Sequence, residues 1–539
     1  MRVALCQLDP TVGALDENTA AIVDAYRRSE SGADVAVFGE LAVCGYPPED
    51  LVLKRRFLED CRDRLDQIAA ISGECAAVVG FPELGDDGHR YNAAALCRDG
   101  RVEHVQRKLA LPTYDVFDED RWFEPGPPDQ ALVEIAGRRV GLSICEDIWS
   151  ETGPTLAQAL AGAELLININ GSPFHRGRLA EREAMLVERA LETRVPVVYV
   201  NQVGGQDDLI FDGASMLVAS DGEVRERLPQ FVVGHRIVDT DAPPADETAG
   251  SGRVAALLDP PREVWSALTL GVRDYVTKNG FGDVVVGLSG GVDSSLVAAI
   301  AADALGAERV HGVLMPSRFS SDHSVTDAER LCEQLGIERR TIAIEPAHSA
   351  FLEMLAPSFG EQPPDLTEEN LQSRVRGVTL MALSNKFGWL VLTTGNKSES
   401  AVGYSTLYGD TAGGLAVIKD VYKLFVYELC WWRNETAGRE IVPESVLNKP
   451  PSAELRPDQR DDQSLPPYEV LDPILEAYID GDRTEAELIE AGFDDAVVRR
   501  ICRLVDLAEY KRRQSPPGLR VMRKAFGRDR RLPITNRYR

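Results

Sequence analysis

The segment Val284-Val285-Val286-Gly287-Leu288-Ser289-Gly290-Gly291-Val292-Asp293-Ser294-Ser295 has the residue types of an anion site. Three β-branched residues favour a buried strand. Ser289, Gly290 and Gly291 give a turn that can take positive φ and let a ligand approach the backbone. From Val292 to Ile300 an apolar, Ala-rich helix begins, and its free N–H groups and dipole favour an anion. The familiar phosphate loop carries a Lys after its last Gly, whereas Asp293 stands just past the glycines here. A carboxylate beside a polyphosphate implies a bound divalent cation, since alone it would repel the ligand. Three more reactive side chains stand near strand ends in the first half. Glu40 follows Val35–Gly39, Lys108 lies in Arg107-Lys108-Leu109-Ala110-Leu111-Pro112, and Cys145 follows Val140–Ile144 and precedes Glu146-Asp147. Each has a plainer explanation alone: a helix cap, a solvated lysine, a small core residue.

The elements that must position these groups alternate. In the first half Val3–Gln7, Val35–Phe38, Ala76–Gly80, Arg139–Ile144, Leu165–Ile169 and Val197–Asn201 read as strands. Segments 16–30, 50–71, 155–162 and 176–194 read as helices, an order that suggests an α/β layered fold. Residues 241–260 are polar and rich in Pro, Gly and Ala, the composition of a linker. They separate an expected domain 1–240 from an expected domain 261–539. In the second, the strand before SGGVDSS is followed by strands Val310–Met315, Arg340–Ile344 and Trp389–Thr393, and by helices over 326–336 and 369–386. That alternation implies a doubly wound parallel sheet with the nucleotide beyond the carboxyl ends of its strands. Regions 355–366 and 473–500 carry no interpretable signal.

The string SGGVDSS resembles the pyrophosphate loop of N-type ATP pyrophosphatases, which cleave ATP to AMP and pyrophosphate. In the first half F-x-E-L, R-K-x-x-L-P and I-C-E-D, in this order, resemble the Glu–Lys–Cys triad of the nitrilase (carbon–nitrogen hydrolase) family. That resemblance implies an αββα sandwich, with Cys145 as nucleophile, Glu40 as general base and Lys108 stabilising the tetrahedral intermediate. The chemistry agrees: a thiolate attacks an amide carbon, a nearby cation favours the thiolate, and a carboxylate can take a proton and then activate water. The resemblance also implies Tyr114, Ser172 and Arg178 as holders of the amino-acid end of glutamine, and Glu119 as a second acid orienting the triad. An Arg facing a free carboxylate is chemically sensible.

TTGNKSE, TLYGDxAGGxAxIKDVYK and LRPDQxDxxSLPPYEVLD resemble the synthetase half of glutamine-dependent NAD synthetases, and the nitrilase-like half precedes it as in that family. By that resemblance Gly287, Leu288, Ser289, Gly290, Gly291, Val292, Asp293, Ser294 and Thr394 would hold ATP. Asn370, Glu399 and Lys511 would bind deamido-NAD, Asp293 and Glu399 would hold Mg²⁺, and Lys419 and Asp420 would lie near the transferring groups. The implied reaction adenylates deamido-NAD with ATP, releases pyrophosphate, and admits ammonia from glutamine to give NAD and AMP. Free ammonia is mostly ammonium at neutral pH, so a tunnel between the domains is expected. The resemblance also implies pairing of synthetase domains, at least as a dimer, with some contacts supplied across it.

Composition limits the alternatives. The 539 residues exceed one core, and 44% hydrophobic with 27% charged residues is ordinary globular usage. A net charge of −27 argues against a nucleic-acid surface, and with it against a tRNA-modifying pyrophosphatase. Enzymes of that class making GMP or asparagine are disfavoured by the YGD-AGG and IKDVYK strings. A nucleotide sensor with a degenerate amidase is disfavoured by the intact Glu40, Lys108, Cys145 and Asp293. No apolar run suits a membrane span, and the N-terminus reads as a first strand. Nine scattered cysteines with no CxxC pair, and seven scattered histidines, suggest a reduced, cytoplasmic protein without structural zinc.

Overall fold

The computed structural model describes residues 1–128, 131–151, 153–241, 253–452, 454–457 and 459–537. Its contacts separate two compact units, Met1–Leu258 and Asp259–Arg539. Most of the expected linker, residues 242–252, lies outside the described residues.

The first unit is built from alternation. In the strand Arg2–Gln7, Val3 and Leu5 enter one apolar cluster while Ala4 and Cys6 enter another. Val35 and Val37 divide from Ala36 in the same way, as do Ala76 and Val78 from Ala77 and Val79. One six-stranded sheet runs Gly234–Asp239, Arg2–Gln7, Val35–Val37, Ala76–Leu84, Arg90–Arg98, Arg101–Arg107. A second runs Val224–Arg227, Met216–Val218, Val197–Asn201, Leu165–Asn170, Arg138–Ile144, Val133–Ile135. Their facing sides share Val3, Leu5, Val37, Leu142, Ile167 and Val200. Helices Leu15–Ser29 and Arg55–Ala70 cover the outside of the first sheet through Ile22, Tyr26, Leu58 and Leu65. Helix Arg178–Thr193 covers the second through Leu179, Met185 and Leu186. The result is the αββα sandwich that the motifs imply.

The sequence reading missed Arg90–Arg98, Arg101–Arg107 and the strands after Asn201. Arg101–Arg107 (RVEHVQR) is a polar edge strand, and Val133–Ile135 and Met216–Val218 are too short to show a period. The helix expected over 50–71 divides into a 3₁₀ turn, Glu49–Leu53, and a helix, Arg55–Ala70.

The second unit holds five parallel strands in the order Glu338–Thr341, Val310–Leu314, Val284–Gly287, Leu390–Thr393, Leu415–Ala416. Val284 pairs with Val310 on one side and Leu390 on the other, so the strand order reverses beside Val284–Gly287. The crevice that such a reversal opens is where SGGVDSS lies. The edge strand expected at Arg340–Ile344 is centred earlier, at Glu338–Thr341, with Glu338 and Arg340 paired on the edge at 2.8 Å. The stretch without signal, 473–500, spans parts of helices Tyr468–Ile479, Glu485–Glu490 and Asp495–Leu507. Val498, Ile501, Cys502 and Val505 recur at helical spacing and join Leu471, Ile474 and Leu475 in one core.

Candidate active sites

In the first unit three expected groups meet. Lys108 Nζ donates to Glu40 Oε1 at 2.7 Å and to both oxygens of Glu119 at 2.8 Å. Lys108 and Glu40 are fully buried, and Glu119 is nearly so. Asn92 Nδ2 donates to the same oxygen of Glu40 at 2.7 Å, and the Gly171 N–H donates to Oε2 at 2.8 Å. Tyr46 Oη donates to Glu119 Oε1 at 2.8 Å. Two carboxylates therefore share one ammonium. Burial works against the Lys108 charge, and Glu119 and Glu40 more than offset it, holding the pKa well above the usual range. Burial pushes Glu119 up to about 7, against the pull of Lys108.

Cys145 ends the strand Arg138–Ile144 and opens the 3₁₀ turn Cys145–Ile148 with φ of 45°. A non-glycine residue held there is strained in a way that recurs at reactive sites. Asp147 explains how the turn is held: its carboxylate accepts from Ile144 N at 3.0 Å and from Leu109 N and Ala110 N at 3.0 and 2.8 Å. It thus ties the nucleophile's turn to the segment after Lys108. Burial raises the Cys145 thiol well above its ordinary pKa; Glu40 and Glu119 raise it further, and Lys108 opposes them. The thiol is neutral at pH 7, so attack on an amide needs a base at hand, a part Glu40 can take.

The three expected glutamine contacts lie around this turn. Tyr114 Oη donates to Glu146 Oε2 at 2.8 Å, next in sequence to Cys145. Arg178 stacks its guanidinium 4.2 Å from the centre of the Trp149 ring and donates to Glu181 at 3.1 Å. Ser172 is buried, and its Oγ accepts from Arg182 at 3.3 Å. Asp147, Asn92, Tyr46 and Arg182 were not picked out from the sequence. Asp147 alone carried a signal, as the last letter of I-C-E-D.

In the second unit a cavity of about 600 Å³ opens at the strand reversal. Gly287, Leu288, Ser289, Gly291, Val292, Asp293 and Ser294 line it, and so do Thr394, Asn370, Glu399 and Lys511. Gly290 does not. Its φ is +73°, and a Cβ there would stand 2.1 Å from the Ser324 carbonyl oxygen. Gly290 thus lets the loop pass against the helix Asp322–Leu335.

Asp293 accepts from Asn396 Nδ2 at 2.9 Å through Oδ1 and from Lys423 through Oδ2. Lys423 also donates to Glu399 Oε1 at 3.1 Å, so one buried ammonium spans both acids expected to hold magnesium. Lys511 donates to the carbonyls of Gly403 and Ser405 at 2.7 and 2.6 Å, and Asn370 Oδ1 accepts from Thr406 at 2.8 Å. Lys419 and Asp420 both engage the C-terminal stretch. Lys419 donates to Pro516 O at 2.7 Å in a small side pocket. Asp420 pairs with Lys397 at 2.8 Å and accepts from Val521 N and Met522 N, fastening the C-terminal segment. Among the described residues no cluster of three or more His, Cys, Asp or Glu is arranged to hold a metal ion.

Known proteins divide at the same place. The carbon-nitrogen hydrolase family matches residues 2–249, and the NAD synthase family matches residues 264–515. The glutamine-dependent NAD(+) synthetase of Xanthomonas campestris is 48% identical over 547 residues, covering 100% of this chain and 98% of the relative. That of Thermotoga maritima is 45% identical over 571 residues, covering 100% and 99%. The solved structure of the Acinetobacter baumannii glutamine-dependent NAD+ synthetase, in complex with ADP, superposes with a TM-score of 0.79 at 42% identity, over 99% of this chain and 98% of that one. Matched from end to end by such relatives, the chain belongs to the glutamine-dependent NAD(+) synthetase family.

Proposed function

We propose that this enzyme hydrolyses glutamine at Cys145 and uses the ammonia to amidate deamido-NAD to NAD, with ATP cleaved to AMP and pyrophosphate. The observation that carries the reading is that one chain holds both a Glu40–Lys108–Cys145 site and a glycine-loop cavity large enough for nucleotide. Glu40 takes the thiol proton as sulfur attacks the amide carbon of glutamine. Lys108 and nearby N–H groups hold the oxyanion, Glu40 passes the proton on to the amide nitrogen, and ammonia leaves the tetrahedral intermediate, which becomes the thioester. Glu40 then activates water to release glutamate. Tyr114, Ser172 and Arg178 hold the amino-acid end.

In the synthetase half we assign the cavity-lining loop residues Gly287, Leu288, Ser289, Gly291, Val292, Asp293 and Ser294, together with Thr394, to ATP. Asn370, Glu399 and Lys511 face deamido-NAD. Asp293 and Glu399 suit Mg²⁺, since they are hard oxygen donors that already share one cation, and Mg²⁺ takes one or two carboxylates plus phosphate oxygens. Bound there, Mg²⁺ would supply charge neutralisation for the departing pyrophosphate. Lys423 would have to yield part of its place to it. The loop N–H groups at the start of helix Val292–Leu305 hold phosphate oxygens.

Ammonia must reach the acyl adenylate before it equilibrates with water as ammonium, so we propose a closed tunnel from one site to the other. We further propose self-association through the synthetase half. Exposed Phe351 and Met354 on helix Glu345–Phe359, with Val378, Met381 and Phe387 on helix Leu366–Phe387, support it. No described helix is long and apolar enough to cross a membrane. The free cysteines support our placing the reaction in the cytoplasm. The test is the product. Incubation with ATP, Mg²⁺, ammonium chloride and deamido-NAD is expected to give NAD and AMP in equal amounts. ADP in place of AMP would sink the adenylation step, and AMP without NAD would sink the acceptor.

A further inference from the structure

Beneath Ser172 lies an ion pair that the reaction above does not use. Arg182 and Asp212 are fully buried. Arg182 Nη1 donates to Asp212 Oδ2 at 3.2 Å and Nη2 to Oδ1 at 3.0 Å, a two-pronged contact. A pair so buried is weak grounds for stability, because apolar residues of similar volume often do as well. Its position suggests another use. Arg178 and Arg182 stand one turn apart on helix Arg178–Thr193, on the same face. Arg178 is partly exposed beside Trp149, and Arg182 is sealed below. A thiolate formed at Cys145 would favour the Arg182 guanidinium, which places the pair within electrostatic reach of the nucleophile.

The second contact of Nη2 is to Ser172 Oγ at 3.3 Å. A guanidinium only donates, so Ser172 Oγ must accept there. The backbone of Ser172 is committed as well: its N–H donates to Asn201 Oδ1 at 2.9 Å, and its carbonyl accepts from Asn201 Nδ2 at 3.3 Å. The hydroxyl hydrogen is what remains. Tyr199 Oη lies beside it, buried and without a hydrogen bond of normal geometry.

We propose that Arg182, clamped by Asp212, is a positioning residue for glutamine recognition: it commits the Ser172 oxygen as an acceptor and so presents the Ser172 hydroxyl hydrogen to the substrate's amino-acid end. Asp212 neutralises the guanidinium, so Arg182 supplies orientation while Arg178 supplies charge. The inference rests on the glutaminase reading of the first unit and deepens it.

The experiment measures NAD formation against glutamine concentration and, in parallel, at saturating ammonium chloride. Arg182→Met leaves Asp212 buried and unpaired, so Arg182→Met/Asp212→Leu, which removes both charges, is measured beside it. The double variant is expected to raise KM for glutamine about tenfold or more, the scale of a lost hydrogen bond to a charged group, with kcat within about twofold. Alkylation of Cys145 by iodoacetamide is expected to stay at the wild-type rate. In a Ser172→Ala background the same two changes are expected to add less than about twofold, because their route has been removed. An unchanged KM, or an undiminished effect in the Ser172→Ala background, would overturn the proposal. So would a fall in kcat together with slower alkylation, which marks a merely structural pair. Wild-type enzyme that makes NAD from ammonia but not from glutamine would overturn the glutaminase reading itself, an outcome read from a different column of the same data.

Discussion

In the first unit the cation and its acids are sealed: Lys108 and Glu40 are 0% exposed and Glu119 is 2% exposed. In the second, Lys423 is 2% exposed, but Asp293 and Glu399, its partners, are 18% and 19% exposed toward a wide cavity. The difference follows from the two reactions. Amide hydrolysis at a cysteine needs a small set of charges fixed before the substrate arrives. A synthetase site must admit two nucleotides, so its charged groups engage one another and must exchange partners when ligands enter. One site is a finished arrangement, and the other holds a temporary one.

The sharpest way to break this comparison is to remove the nucleophile. Cys145→Ala is expected to lower glutamine-dependent NAD formation by at least about 10³-fold and to leave the ammonia-dependent rate standing. Loss of both rates would mean that the finished site is also part of the second one. The next effect comes from the other side. Asp293→Asn removes a charge from the Lys423 cluster and is expected to cost about 10²–10³-fold in NAD formation from either nitrogen source. Glutamate release measured in the same tubes should continue. If it stops, the first site depends on the state of the second.

Legibility in the sequence divided along the same line. The layered α/β order and the parallel sheet were readable because Val3–Gln7, Leu165–Ile169 and Val284–Gly287 are short, largely apolar runs alternating with helical stretches, and the αββα sandwich followed from the family resemblance of the motifs. Glu40, Lys108 and Cys145 were readable because each sits in a short motif at a strand end. Arg101–Arg107 was not, since an edge strand has little apolar face to announce it. Arg182 and Asn92 were invisible for another reason: nothing local distinguishes a buried arginine on a helix from the exposed arginines around it. Lys423 stood in the text beside Lys419 and Asp420, and only the fold separated their work. Lys423 turns into the cavity, while Asp420 fastens residues 521 and 522.

A milder change probes how finished the first site is. Burial holds Glu119 near pH 7, and its charge is among those that raise the Cys145 thiol, behind burial and Glu40. Glu119→Gln removes that charge permanently, so more thiolate forms at a given pH. Iodoacetamide should therefore alkylate the variant faster than wild type at pH 8. Below about pH 6 the two rates should converge, because wild-type Glu119 is then protonated and equally uncharged. Glutamine turnover should move the other way, falling about 10- to 100-fold, since Lys108 loses its anchor. Equal alkylation rates at pH 8 would show that Glu119 does not carry its charge to the thiol.

The smallest expected effects come from two neighbouring glycines and sharpen the account of the second site. Gly290 has φ of +73°, and a Cβ there would meet backbone, the Ser324 oxygen at 2.1 Å, which cannot swing aside. Gly290→Ala combines left-handed strain with that clash and is expected to cost about 1–3 kcal/mol. At about 2–4 °C per kcal/mol, this lowers Tm by several degrees. Gly291 has φ of −95°, and its nearest neighbour would be the Ser289 hydroxyl at 3.2 Å, the end of a side chain that can turn. Gly291→Ala should leave Tm within about 1 °C. Gly291 lines the cavity and Gly290 does not, so the added methyl faces the phosphates, and KM for ATP should rise about 3- to 10-fold. The two measurements cross: one glycine is required by the scaffold and the other by the ligand. If Gly290→Ala kept its Tm and lost ATP affinity instead, the loop would be free of the helix Asp322–Leu335, and the second site would be more mobile than its hydrogen bonds indicate.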